Sequence, residues 1–283
     1  MKIGLKNLVS RQRAQLKRTF RAFSHEWKYR RLSTVGVTIE NLRVSFDTSD
    51  AYSKRWWFPR YLDGRIHEPA VTHLAVRLAK HAQWFADVGA NLGWYTCIVA
   101  SFLPGGRVDA FEMNPALCEI LERNVHLNHL DAHVHNVAIT ADSREVSFLT
   151  GESMGTYIPK TGSHAAGRTL QVQGRTLDEF CSANQGRGLV KIDVEGAEMD
   201  VLSGMGFLLK RPDLDLLIEL HPWAMEEFGS SPSRILEVLQ GHGYQVRELR
   251  GLRRESADIV AFNPSLVVGN TMIWATRSTD VPG

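Results

Sequence analysis

The sequence predicts an α/β protein built on a mostly parallel sheet with helices on both faces. Three observations predict it. Apolar runs of strand length alternate with helix-length segments from residue 83 to 139 and again from 176 to 220. A Gly-Ala-Asn-Leu-Gly turn, Gly89 to Gly93, joins the first of these strands to its helix. Acids stand at or beside successive strand ends, at Asp87, Glu112, Asp193 and Glu219, where an open parallel sheet presents its ligand-binding edge.

Residues 1 to 33 read as a basic amphipathic helix. Leu5, Leu8, Val9, Leu16, Phe20, Phe23 and Trp27 recur at three and four spacing, with the basic residues on the other surface. Ten Lys and Arg against Glu26 alone give residues 1–31 a charge of +9, so a whole-chain net of +2 leaves the remainder at −7. Such a helix packs on its own domain, or lies on an anionic membrane or an acidic partner. Nucleic acid is not an expected partner, since the larger portion is acidic and carries no recognised binding motif.

A leading pair of strands and a helix are expected over 34–82. Val35, Val37, Ile39, Leu42, Val44 and Phe46 alternate as paired strands, and His67-Glu68-Pro69 opens a helix running to about Ala82. Between them Tyr52, Trp56, Trp57, Phe58 and Tyr61 lie among Lys54, Arg55 and Arg60, a mixture suited to stacking on a sugar and equally to a packed edge. The main domain is expected over 83–283: strand 83–88, helix 93–102, strand 107–112, helix 115–128, strand 133–139. Leu117, Ile120, Leu121, Val125 and Leu127 form the buried side of the second helix. An insertion of strands and turns over 143–175 offers Met154, Tyr157 and His164 as acceptor contacts or as solvated loop. A helix over 176–183, a strand at 189–193, a helix from Glu195 to Lys210 and a strand at 214–220 follow. A helix at 233–242 and strands near 244–249, 258–262 and 271–276 finish the chain.

With 43% hydrophobic and 23% charged residues the chain can bury one substantial core. Its three cysteines, Cys97, Cys118 and Cys181, lack a C-x-x-C spacing, which argues against a disulfide framework or thiolate metal site. No apolar run approaches the roughly 20 residues that span a bilayer, and the first residues lack a signal-peptide core. A cytoplasmic setting is expected, with peripheral membrane contact only through residues 1–31.

The glycine turn identifies a ligand class. A dinucleotide fingerprint offers backbone N–H groups to a pyrophosphate, but here the carboxylate of Asp87 stands beside the turn and would repel an anion. S-adenosylmethionine, with a sulfonium and an ammonium and no phosphate, suits that charge. Gly89, Asn91 and Gly93 would shape its cradle, with Tyr95 or Thr96 nearby; Asn91 equally reads as a residue that only stabilises the turn. Glu112 would meet both ribose hydroxyls, and Asn136 to Ala138 would bound the adenine.

Five segments together resemble the FkbM family of S-adenosylmethionine-dependent methyltransferases: Asp87-Val-Gly-Ala-Asn-Leu-Gly-Trp-Tyr-Thr96, Phe111-Glu-Met-Asn-Pro115, Arg175-Thr-Leu-Asp-Glu-Phe180, Val190 to Met205, and Leu217-Ile-Glu-Leu-His-Pro222. The similarity runs in order and spacing from about residue 64 to 222, and Lys-Ile-Asp-Val-Glu-Gly-Ala-Glu is its most specific part. The resemblance implies a class I methyltransferase (Rossmann-like) fold with a seven-stranded sheet closed by an antiparallel strand. It also implies O-methylation of a sugar, glycan intermediate or specialised metabolite, and it draws attention to Glu68.

Methyl transfer to an alcohol needs positioning, water exclusion and an exit for the acceptor proton. His221 is the natural general base, with Asp193 or Glu219 orienting it or binding the acceptor. Alternatively Asp193, Glu195 and Glu219, with His221, hold a divalent cation such as Mg²⁺ that acidifies the hydroxyl. Glu195 and Glu198 also read as first-turn helix residues, where negative charge is favoured, and Lys191 as an ion-pair partner. A non-catalytic cofactor-binding protein docked through the basic arm is the alternative function, and a nicotinamide-dependent oxidoreductase a further one.

Overall fold

A computed structural model of the protein describes residues 24, 26–57, 64–103, 105–150, 156–157 and 168–278. The helix expected at the N-terminus lies outside the described residues up to residue 23, as do Phe58, Tyr61, Met154 and His164. The described chain divides into two compact units, residues 1–67 and 68–283.

In the first unit β1 (Thr34–Ile39) and β2 (Leu42–Asp47) form an antiparallel hairpin, with Val35 level with Phe46 and Val37 with Val44. The apolar residues of one face, Val37, Ile39, Val44 and Phe46, are buried, as period-two alternation requires.

In the second unit α1 (Pro69–Ala79) precedes β3 (Trp84–Val88), α2 (Trp94–Ser101), β4 (Arg107–Phe111), α3 (Pro115–Leu127) and β5 (His133–His135). Pro115 at the first turn and the Asn114 side chain accepting from Ala116 N start α3. Leu117, Ile120, Leu121 and Val125 bury its inner face, while Leu127 is 37% exposed. After β6 (Ala138–Ile139), β7 (Glu145–Thr150), β8 (Thr156–Tyr157) and β9 (Arg168–Arg175) come α4 (Leu177–Cys181), β10 (Gly188–Ile192), α5 (Glu198–Ser203), β11 (Leu214–Leu220) and α6 (Pro222–Met225). The chain ends with α7 (Pro232–Gly241), β12 (Gln245–Arg250), β13 (Asp258–Ala261) and β14 (Thr271–Thr276).

The main sheet has the order β13-β12-β14-β11-β10-β3-β4-β5. Strands β5, β4, β3, β10 and β11 run parallel, and β14 is antiparallel to both β11 and β12. This is the Rossmann-like order expected, with one difference: β13 pairs antiparallel with β12 and makes eight strands rather than seven. The strand near 258–262 was legible as a strand. Its place as an extra edge depends on the hairpin closing onto β12, which no local pattern specifies.

Strands β3 and β10 are buried throughout and β11 almost throughout, the signature of a sheet covered on both faces. Two expectations are corrected. The strand expected over 133–139 is two strands in different sheets: β5 ends the main sheet, and β6 pairs with β9 in a second sheet of order β6-β9-β7-β8. The helix expected from Glu195 to Lys210 is only α5, followed by a 3₁₀ turn at Leu208–Lys210. Helix α5 ends at Gly204, its C-cap, where a Cβ would stand 2.2 Å from the Thr140 carbonyl oxygen. The three cysteines are buried and free. Among the described residues no helix is long and apolar enough to cross a membrane.

Candidate active site at the carboxyl edge of the sheet

The turn after β3 carries three left-handed residues in five: Gly89 (φ 81°), Asn91 (φ 54°) and Gly93 (φ 92°). Both glycines are needed for packing. A Cβ on Gly89 would lie 1.9 Å from the carbonyl oxygen of Asp193, and one on Gly93 would lie 2.3 Å from Leu121 Cδ1. The sequence reading assigned these glycines to ligand approach, whereas the space where their side chains would stand is filled by the protein itself. Gly89 N and Ala90 N both donate to the Phe111 carbonyl, each at 3.0 Å. Asn91 N donates to Glu112 Oε2 at 2.9 Å, and its own Oδ1 accepts from Leu92 N at 2.8 Å.

Glu112 therefore has a fixed orientation. Asn114 N donates to its other oxygen at 2.8 Å. Burial pushes its carboxyl up to about 7, against the pull of those two N–H groups. The cleft beside it is lined by Gly89, Asn91, Glu112, Ala138, Asp193 and Glu195, among others. Asp87, Gly93, Tyr95 and Asn136 do not line this cleft. Asn136 is a brace whose amide donates to the Glu112 and Met113 carbonyls at 2.9 and 3.0 Å. Asp87 lies one layer deeper, with Oδ2 accepting from Thr96 Oγ1 at 2.6 Å and Oδ1 buried without a partner. Burial raises its carboxyl, opposed by Lys191 and Thr96.

Lys191 stands level with Asp87 across the β10–β3 pairing. Its ammonium is 3.1 Å from Asp193 Oδ2 and 4.5 Å from the centre of the Tyr95 ring, and the Tyr95 hydroxyl donates to Glu68 Oε2 at 2.9 Å. Burial opposes the charge of Lys191, but Asp193, Asp87, Glu219 and Glu68 outweigh it and raise the ammonium.

Beyond the end of β10 the chain turns sharply, with Glu195 at φ 52° and Gly196 at φ 112°. Glu195 thus sits in the turn and not in the helix, which corrects its first-turn reading. Glu198 does open α5 but is fully buried. Its Oε1 accepts from Gly196 N at 3.0 Å and faces His221 Nδ1 at 2.8 Å, while Oε2 has no hydrogen-bond partner. A carboxylate can only accept, so Nδ1 carries the proton and Nε2 is turned to the cluster.

There His221 Nε2 is 3.5 Å from Glu195, 3.7 Å from Glu219 and 3.8 Å from Asp193. Burial alone would lower His221, but Glu198, Glu195 and Asp193 outweigh it and lift the imidazole to about 9. Glu219 is raised to about 8 by burial and by Asp193 and Glu68. Asp193, Glu219 and His221 each offer a ligand atom within 4.8 Å of the others. Two carboxylates and an imidazole at that spacing, with surplus negative charge, fit a divalent cation.

The cleft and the cluster meet at Asp193 and Glu195. Glu198 and Lys191 were the residues whose weight sequence reasoning underrated. The only signal was their place in the Lys-Ile-Asp-Val-Glu-Gly-Ala-Glu run, because burial of an acid on a helix start cannot be read from periodicity.

A family model described as the methyltransferase FkbM domain matches residues 87–246. The hexuronic acid methyltransferase AglP of Haloferax volcanii is 27% identical over 165 residues, covering 58% of this chain and 66% of AglP. The AMB antimetabolite synthetase AmbE of Pseudomonas aeruginosa is 25% identical over 198 residues, covering 56% of this chain and 9% of AmbE. The chain thus spans less than two thirds of the length of either relative. Among solved structures, a methyltransferase FkbM from Methylobacillus flagellatus KT aligns at 13% identity over 69% of this chain and 44% of its own, with a TM-score of 0.45.

Proposed function

Because this chain belongs to the FkbM methyltransferase family, we propose that it moves the methyl group of S-adenosylmethionine onto a hydroxyl of a sugar, glycan intermediate or specialised metabolite. One observation carries the reading: a single cleft is lined by Gly89, Asn91 and Glu112 on one side and by Asp193 and Glu195 of the carboxylate–imidazole cluster on the other. A nucleoside held by Glu112 would share the cleft with Asp193 and Glu195 of the cluster. The similarity to a hexuronic acid methyltransferase supports a sugar acceptor.

S-adenosylmethionine supplies a methyl carbon already activated by a positive sulfur, which the acceptor oxygen attacks in line as the carbon–sulfur bond breaks. Glu112 accepts from the ribose hydroxyls, the Gly89–Asn91 backbone cradles the methionine end, and Ala138 bounds the adenine. Asp87 acts from beneath the turn, through Thr96 and its negative charge. Lys191 pairs with Asp193 at 3.1 Å, and Glu198 fixes the ring of His221.

The acceptor proton goes to His221 Nε2 or to a neighbouring carboxylate. A protonated imidazole cannot take it. His221 must shed that proton to act either as base or as ligand; in the second role Asp193, Glu219 and His221, with Glu195 beside them, would hold Mg²⁺ or Mn²⁺. Such a cation would acidify the bound hydroxyl, and its binding would displace the imidazole proton.

Incubating the protein with labelled S-adenosylmethionine and a cell extract, with and without chelator, is expected to give a labelled hydroxylated product. Cofactor binding without turnover across an acceptor screen would favour the docking alternative. Stabilisation by NAD and not by S-adenosylhomocysteine in a thermal-shift assay would favour an oxidoreductase.

Ribose hydroxyls donate to the ionised carboxylate, so binding is expected to favour deprotonated Glu112. Affinity for S-adenosylhomocysteine should strengthen as pH rises through about 7, with proton release on binding. Glu112→Gln should weaken it roughly 10–100-fold and flatten that pH dependence, since a charge-assisted bond is worth about 1.5–3 kcal/mol. Calorimetry in buffers of different ionisation enthalpy measures both effects. Unchanged affinity in the variant would remove Glu112 from the ribose site.

A further inference from the structure

Two residues after His221 the chain exposes a tryptophan: Trp223 is 60% exposed. A free indole on a surface would sample rotamers, but this one is tethered. Its Nε1 donates to Asn270 Oδ1 at 3.2 Å, and the other end of that carboxamide, Nδ2, donates to Glu219 Oε1 at 3.2 Å. Glu219 Oε1 in turn lies 3.7 Å from His221 Nε2. An unbroken chain of polar contacts thus fixes an exposed aromatic plane one carboxamide away from a carboxylate of the reacting cluster.

Neither hydrogen bond is needed to fold an exposed residue, since water would satisfy the indole N–H as well. Their effect is to hold the ring in one pose, which removes part of the ordering cost of whatever lands on it. The indole face carries the negative lobe of the ring quadrupole. A pyranose matches such a surface, because one of its faces presents polarised C–H groups while its hydroxyls radiate from the edge. With the ring laid on the indole, edge hydroxyls can point toward Glu219, and Asn270, bonded to both residues, acts as the spacer.

We propose that Trp223, locked by Asn270, is the stacking platform of the acceptor subsite and selects a pyranose ring. The inference rests on the sugar-methyltransferase reading and deepens it. It makes Trp223 a residue that sets acceptor affinity and orientation, outside both the cofactor cleft and the chemistry.

The test uses the whole chain saturated with S-adenosylhomocysteine, probed with methyl β-glucopyranoside and its uronic acid counterpart by saturation-transfer NMR. The wild type is expected to saturate the axial C–H protons of one ring face. Trp223→Ala should lose about tenfold in pyranoside affinity, and Trp223→Phe, which keeps an aromatic face but loses the Asn270 tether, should fall between the two. The thermal shift given by S-adenosylhomocysteine should be the same in all three, which reports an intact fold. Pyranoside binding by Trp223→Ala equal to wild type overturns the platform and leaves the sugar reading standing. Absence of binding of either pyranoside to the wild type overturns the sugar reading and the platform together.

Discussion

His221→Asn is expected to lower kcat by two to four orders of magnitude, the usual range for loss of a positioned proton-transfer group, with the affinity for S-adenosylhomocysteine unchanged. Asn is the informative replacement. Ala would leave the fully buried Glu198 facing an empty site when one of its oxygens already lacks a partner, and an uncompensated buried charge costs about 3–5 kcal/mol. The Asn amide can still donate to Glu198 from near the Nδ1 position, so folding is retained while the Nε2 function is removed.

The same variant reads out the electrostatics. The imidazole of the folded protein is raised to about 9 from about 6.5 in an unfolded chain. Its contribution to stability is complete below pH 6.5 and is lost as pH climbs toward 9. The melting temperature of the wild type should therefore decline more steeply than that of His221→Asn across this interval. Turnover by the variant at the wild-type rate would remove His221 from the chemistry. If chelation also stopped the wild-type reaction, and Mn²⁺ or Mg²⁺ restored it, the cation held by Asp193 and Glu219 would carry that role.

Gly89→Ala should produce the largest loss of stability of any single methyl addition in the turn, about 2–5 kcal/mol. The estimate combines left-handed backbone strain of about 1–2 kcal/mol with overpacking of about 1–3 kcal/mol. The new Cβ would fall 1.9 Å from the backbone oxygen of Asp193 and 2.9 Å from its carbon, atoms that cannot swing aside as a flexible side chain would. Gly105→Ala supplies the control: its φ of 72° imposes similar strain, but nothing lies within 4 Å of its Cβ position. Chemical denaturation of both variants separates strain from collision, and equal losses would refute the packing account. Displacement of Asp193 also predicts reduced turnover in whatever fraction of Gly89→Ala remains folded.

The strand–turn–helix–strand–acid series from β3 to Glu112 was legible because each step has a local cause: an apolar run, glycines at left-handed positions, and a carboxylate at a strand end. Strand ends likewise located Asp193, Glu219 and His221. Three kinds of feature were not legible. Gly89 and Gly93 pack against residues 104 and 28 positions further along the chain, at Asp193 and Leu121, which no turn signature encodes. Glu198 reads as an ordinary first-turn acid until the fold buries it under His221. Trp223 lies just past the Leu217–Pro222 segment with no pattern to mark it, and its significance lies in the tether through Asn270, 47 positions away.

The parting of β5 from β6 has an architectural outcome. Ala138 and Ile139, which line the cleft, hang from Gly174 and Arg175 of β9 instead of from the main sheet. The β7–β9 sheet is a strut for one wall of that cleft. Excising β7 to β9 would take that wall's anchorage with it.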